Sequence, residues 1–200
     1  TGRTHRHCAC GGAPGRRGTS KRNTRVGLDL LLQVLSNRGE PAICADDVWR
    51  LDIRCDLPTF PGFCIRSLNR DDVPALQSFG DKLGPGARHL FAPYPWAQPD
   101  QLPDAFRKAI DNAVRRVDAS YLMEVQGRGA IGHFFLWKAG GNAHSGKHGV
   151  QVPELGVAIG DEWQRKGLGR LAVRLLNAVA RERRADAVEL TTAMTNEGGW

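Results

Sequence analysis

Apolar positions along the chain recur at two periods, and the switches between them outline its elements. Leu168, Leu171, Ala172, Leu175, Leu176 and Val179 follow i, i+3, i+4, i+7, i+8 and i+11, which is one stripe of an amphipathic helix. A second stripe, Phe106, Ala109, Ile110, Ala113, Val114 and Val117, predicts a helix over roughly Pro103 to Val117. A third, Leu76, Phe79 and Leu83, follows Asn69 or Asp71 as cap with Pro74 in the first turn, and Gly84-Pro85-Gly86 stops it. Short β-prone runs lie between these helices: FCIRS (63–67), 120–126, 130–139, PELGVAIG (153–160) and AVELTTAMT (187–195). The turn Gly127-Arg128-Gly129 joins two of them as a hairpin.

Upstream the pattern weakens. VGLDLLLQVLSN (26–37) predicts a short helix, and 45–53 predicts another helical turn. Pro58 and Pro61-Gly62 break the chain, which places a boundary near Gly62. Residues 1–25 carry almost no large apolar group and cannot bury enough surface to offset their ordering entropy. The expected organisation is a disordered basic tail over 1–25, an extension with short helices over 26–62, and an α/β domain over 63–200.

The last part carries the chemistry. Strand 153–160, the basic glycine turn Gln164-Arg165-Lys166-Gly167-Leu168-Gly169, the Leu168 helix and strand 187–195 form a β-α-β unit. Its outer strands are expected to be neighbours in one sheet. Glycines free backbone N–H groups from obstructing side chains. The following helix leaves its first N–H groups unpaired and adds partial positive charge. Arg165, Lys166 and Arg170 add full charges, so the turn reads as a phosphate or pyrophosphate site. A P-loop needs a Lys-Ser/Thr pair, which Gly169-Arg170 lacks. A dinucleotide turn fits weakly: GLGRLA has Ala172 at its third glycine position. The nearest acidic partner is Glu189, and the turn lies far from the start of the chain.

Charge changes the picture only at one end. The chain carries 28 Lys and Arg against 21 Asp and Glu, a net of +7. Seven of those cations fall within 1–25, where there is no acid, so 26–200 is neutral overall. The basic balance therefore belongs to the tail. Specific nucleic-acid binding is not expected, since no aromatic groups are interleaved with the tail's charges. No apolar run approaches the ~20 residues of a membrane span. An odd number of cysteines (five) without a secretory leader fits reduced thiols in a cytoplasmic compartment. The chain begins at Thr1 rather than Met, as a fragment would.

The order of elements and the spelling of the turn together resemble the GNAT superfamily of acetyl-CoA-dependent N-acetyltransferases. Gln164-Arg165-Lys166-Gly167-Leu168-Gly169 matches the family's Q/R-x-x-G-x-G/A turn, and ELGVAIGDEW resembles its central strand. IRSLNRDDVPALQSF (65–79) looks like its first strand and helix, and Asn196 resembles an asparagine many members carry. The resemblance covers about 63–200. It implies a GNAT-like acyl-CoA N-acyltransferase fold around a mixed sheet. It also implies acetyl-CoA as co-substrate and acetyl transfer to a primary amine by direct attack in a ternary complex. Backbone groups at Val157, Ala158 and Ile159 would hold the pantetheine arm. Arg165, Lys166, Gly167, Leu168, Gly169 and Arg170, with Asn196, would hold the rest of the coenzyme. Glu154 is the candidate general base, sharing a strand face with Gly156 and Ala158, whose small side chains would leave room for substrate. Glu124 is the weaker alternative. Family members continue with a further helix and two strands, and that helix often carries a tyrosine general acid. The resemblance thus implies an incomplete fold within these 200 residues. A noncatalytic acyl-CoA-binding domain of the same fold is the alternative function.

Other candidates are weaker. His5, His7, Cys8 and Cys10 crowd four soft ligands into six residues with no matching second pair, so no metal is expected. Phe91, Tyr94 and Trp96 either line a substrate pocket or anchor a loop on the core. His144 and His148 belong to a polar loop, and Arg174 and Arg181 to the wet face of the last helix.

Overall fold

The computed structural model describes residues 42–45, 49–57, 60–91, 93–137, 152–185 and 187–190. Among these, six strands form one sheet in chain order: β1 (Ala42–Ala45), β2 (Leu51–Leu57), β3 (Phe60–Ser67), β4 (Ala119–Val125), β5 (Gly129–Trp137) and β6 (Glu154–Ile159). All neighbours are antiparallel. Helices α1 (Val73–Asp81), α2 (Pro85–Leu90) and α3 (Leu102–Val114) come between β3 and β4, and α4 (Leu168–Glu182) follows β6.

Alternation along the strands sorts two apolar layers. Ile53, Ile65, Tyr121, Met123, Phe134, Leu155 and Ile159 belong to one cluster with the buried face of α4. Leu122, Ala130, Phe135 and Ala158 join the other, with Leu76, Phe79, Phe106 and Ile110 from α1 and α3. Every residue of the predicted α4 stripe, Leu168 to Val179, is buried, and Ala180 joins them. At about 25 cal/mol per Å² of apolar surface, these two layers dominate folding, and they fix β6 between its neighbours.

Several expectations need correction upstream. Residues 51–53, read as a helical turn, lie in β2, where Ile53 pairs with Ile65. The alternation Leu51, Ile53 places both side chains in the core, and that period-2 signal outweighs helical propensity. Gly62, read as a boundary, lies inside β3 at φ +60, so the sheet runs across it. Asp72, rather than Asn69 or Asp71, takes the N-cap position of α1. Gly84-Pro85 ends one helix and starts another, with Gly84 capping α2 and Pro85 in its first turn. The third helix stops at Val114, and Arg116 takes φ +60, leaving Val114 and Val117 exposed. The tail 1–25, the 26–37 segment, His144, His148 and Asn196 lie outside the described residues.

Of the predicted last strand only its start is described. Glu189 forms a parallel bridge with Glu154. Leu155 N–H donates to Glu189 O at 2.8 Å, and Glu189 N–H to Pro153 O at 2.9 Å. The β-α-β unit thus brings its two outer strands side by side at the N-terminal end of β6.

Candidate functional site

The site grows from the C-terminal end of β6. Leu155 N–H points to Glu189, whereas Gly160 N–H points the other way, to Ile131 O of β5. Backbone groups on a strand alternate in direction. The peptide groups of Val157 and Ile159 therefore face the side of Glu189, away from β5. Ala158 turns its backbone toward His133, its partner on β5. Among the described residues Glu189 pairs only with the first residues of β6, and none of them pairs with the edge beside Val157, where an extended ligand could add as a strand. Gln164 reaches back to this edge: its Nε2 donates to Ile159 O at 3.0 Å and to Asp161 Oδ1 at 3.2 Å.

The turn itself uses two left-handed residues, Arg165 at φ +59 and Gly167 at φ +86. Gly167 is the N-cap of α4. The first intrahelical bond runs from Leu171 N–H to Gly167 O at 3.1 Å. The N–H groups of Leu168, Gly169 and Arg170 thus emerge at the helix end without an intrahelical acceptor, next to the positive pole of the dipole. A Cβ placed on Gly167 or Gly169 would meet no atom within 4 Å. Gly167 is explained by its φ. Gly169 is helical, and no described neighbour demands its missing side chain. The bare surface instead suits a group lying close above the helix end. Arg165, Lys166 and Arg170 are exposed around it. Lys166 Nζ stands 5.1 Å from the ring centre of Trp163, which packs on Phe60.

The candidate carboxylates are separated. Glu154 is half-buried at the opposite end of β6, opposite Trp137. The face it shares with Gly156 is not the open space expected from small side chains. Phe135 lies across Gly156 so closely that a Cβ there would come within 2.2 Å of its Cζ, and Phe135 stacks on Trp137 with ring centres 4.4 Å apart. Glu124 on β4 is engaged with Arg66, whose Nε and Nη2 donate to its two oxygens at 2.8 and 2.7 Å. The same guanidinium donates to both oxygens of Asp72 at 2.7 and 2.8 Å. Glu124 therefore works as a counter-ion that ties β3, β4 and the start of α1 together.

The aromatic loop is an anchor. Tyr94 is buried against Phe106, Phe91 and His133, and Trp96 Nε1 donates to Phe91 O at 2.6 Å. Cys64 is buried, and burial with Asp52 nearby pushes its thiol up to about 12, which removes it as a thiolate nucleophile at neutral pH. Among the described residues no three His, Cys, Asp or Glu side chains converge on a metal position, and no helix is long and apolar enough to cross a membrane.

Sequence reasoning missed the side-chain contacts of Gln164 and Asp161 and the burial of His133. The first two had a signal, since polar residues between an apolar strand and a helix start must satisfy chain ends. His133 stands between Gly132 and Phe134 in an apolar run, which marks it as a buried polar residue needing partners.

A family model described as an acetyltransferase (GNAT) domain matches residues 63–199. No curated protein matches the chain in sequence. Solved structures do match in fold. The GNAT domain of S. lividans PAT aligns with a TM-score of 0.53 at 17% identity, over 76% of this chain and 84% of that one. An N-acetyltransferase from Staphylococcus aureus Mu50 gives 0.52 at 13% identity over 69% and 78%. The ribosomal L7/L12 alpha-N-protein acetyltransferase RimL gives 0.51 at 13% identity over 80% and 76%. At these identities the structures speak for the fold, and the family model matches more than half of the chain. With a mixed α/β architecture and the glycine turn at the end of β6, this protein belongs to the GNAT acetyltransferase family.

Proposed function

We propose that this protein transfers the acetyl group of acetyl-CoA to the primary amine of an acceptor by direct attack in a ternary complex. The observation that carries the reading is the junction of β6 and α4. A strand edge at Val157 and Ile159 that no described strand covers ends directly in a turn whose N–H groups, at Leu168, Gly169 and Arg170, emerge beneath bare glycine surface. The pantetheine arm carries amides that suit such an edge, and the pyrophosphate suits such a turn. Arg165, Lys166 and Arg170 supply the counter-charge, and Asn196 completes the coenzyme set in this reading. A backbone N–H of Val157 or Ile159 would stabilise the oxyanion that forms when the amine nitrogen attacks the thioester carbonyl. The C–S bond then breaks, and the coenzyme leaves as the thiolate.

Most amines are protonated at neutral pH, so a base must take a proton before attack. We assign this role to Glu154. It lies on the coenzyme strand, while Glu124 already has both oxygens engaged by Arg66. A noncatalytic acyl-CoA-binding role remains the second reading, favoured by the Phe135–Trp137 stack that fills the face next to Glu154.

Calorimetric titration with acetyl-CoA, followed by thiol release with a panel of amines, tests the proposal. Binding that is lost in Gly169→Glu, with thiol release for at least one amine, is the expected result. Binding without turnover for any amine selects the noncatalytic role. No binding by the wild-type chain overturns both.

A further inference from the structure

Among the described residues, hydrogen bonds fasten the turn after β6 to the opposite helical layer at Asp161. Its carboxylate accepts two hydrogen bonds from different parts of the molecule. Oδ2 takes the Gly84 N–H at 3.1 Å, at the start of α2, and Oδ1 takes Gln164 Nε2 at 3.2 Å, from the coenzyme turn. The Asp161 N–H donates to Lys82 O at 3.2 Å, just past the end of α1. Lys82 continues the connection, since its Nζ donates to Ala130 O at 2.7 Å, on β5. The fit is close on both sides. A Cβ on Gly84 would lie 2.4 Å from Asp161 Oδ2, and one on Gly160 would lie 3.3 Å from Lys82 Cβ. Gln164 meanwhile holds Ile159 O, the last carbonyl of the strand edge. One carboxylate thus joins the end of β6, the glycine turn and the α1–α2 junction.

We infer that Asp161 is a positioning residue that couples occupancy of the coenzyme turn to the order of the α1–α2 junction. This rests on acetyl-CoA occupying that turn. An anion that tightens the turn fixes Gln164 and Asp161, and Asp161 in turn fixes Gly84 N–H and the first turn of α2. The α1–α2 junction, in the layer packed on the same sheet face as Ala158, then becomes more rigid when the coenzyme is in place.

Hydrogen exchange of the full chain, with and without acetyl-CoA, reads this directly. In the wild type acetyl-CoA should slow exchange at Gly84 and Arg88 by about 5-fold or more, besides protecting the turn. Asp161→Ala should keep protection of the turn and lose that at Gly84 and Arg88. Gly84→Ala, which displaces the carboxylate from the other side, should do the same. Asp161→Asn offers one acceptor oxygen to two donors, Gly84 N–H and Gln164 Nε2, so its coupling should fall between that of the wild type and that of Asp161→Ala. Wild-type binding with no change at Gly84 and Arg88, or unchanged coupling in Asp161→Ala, overturns the inference alone. No binding of acetyl-CoA by the wild type overturns the functional reading beneath it.

Discussion

Tyr94 Oη and His133 Nε2 are 2.8 Å apart inside the protein, and both side chains are buried. The other ring nitrogen, Nδ1, lies 3.1 Å from Tyr121 O. A carbonyl only accepts, so Nδ1 carries the proton and Tyr94 donates to Nε2. Phe79, Phe91 and Phe135 surround the ring. The pair pins the aromatic loop onto β5 directly opposite Ala158 of β6.

This arrangement makes stability depend on pH. Burial holds His133 down at about 4, against 6.5 for the free side chain. Between these values the unfolded chain binds a proton that the folded one does not, so stability rises with pH across the window from about 4 to 6.5. It is complete above the upper value and is lost as the pH falls. The full effect is roughly 3 kcal/mol at 1.36 kcal/mol per pKa unit. Urea unfolding at several pH values should show this slope. The double variant His133→Leu, Tyr94→Phe removes both polar partners and should flatten it between pH 6.5 and 4. An equal slope in both proteins would show that His133 does not supply it.

Three glycines should respond differently to alanine. At Gly156 the new methyl collides with the Phe135 ring, which is itself held by Trp137, and overpacking of this kind costs about 1–3 kcal/mol. At Gly167 the space is open but φ is +86, so the cost is strain of about 1–2 kcal/mol. At Gly169 space is open and the backbone helical, so alanine should be neutral or stabilising by up to about 1 kcal/mol. Thermal melts rank the three. A loss at Gly169 as large as that at Gly156 would contradict the open surface above the turn.

Much of this was legible in the sequence because period and spacing carry over directly into geometry. The α4 stripe from Leu168 to Val179 became the buried face of the last helix, and ELGVAI became the strand that leads into the turn. What was not legible depends on partners distant in the chain. Nothing near Glu124 in sequence announces Arg66, which is 58 positions away. Nothing near Gly156 announces that Phe135 crosses it. The residues Leu51 to Ile53 were misread because three residues of alternation are too few to tell a strand from a turn. Their role emerges only when Ile65 and Met123 line up beside them.

Arg66 is the member of its network whose removal should cost most. Its guanidinium neutralises Asp72 and Glu124 together, and Asp72 also accepts the Asn69 N–H at 2.7 Å. Arg66→Met would leave two carboxylates facing each other near a largely covered site. Truncating one side of such a pair costs about 3–5 kcal/mol when it is fully buried. With 19% of the Arg66 side chain exposed, about 2–3 kcal/mol is expected. Glu124→Gln keeps an acceptor for Arg66 and should cost less. Urea denaturation of both variants checks the order, and Arg66→Met as stable as the wild type would show the network to be a surface ornament.

Glu154 and Glu124 should separate in activity as they do in geometry. If Glu154 takes the amine proton, Glu154→Gln keeps the shape of β6 and removes only the base. The rate with a competent amine should fall by roughly 10²- to 10⁴-fold, while acetyl-CoA affinity stays near that of the wild type, because Val157, Ile159 and the turn are untouched. Raising the pH deprotonates the free amine and should recover part of the loss. The wild type, which has its own base, should gain less over the same range. Glu124→Gln should lower stability while sparing the rate of the folded fraction. Thiol release measured across pH for the three proteins distinguishes these cases. An unchanged pH profile in Glu154→Gln, with full rate, would move the base elsewhere in the molecule.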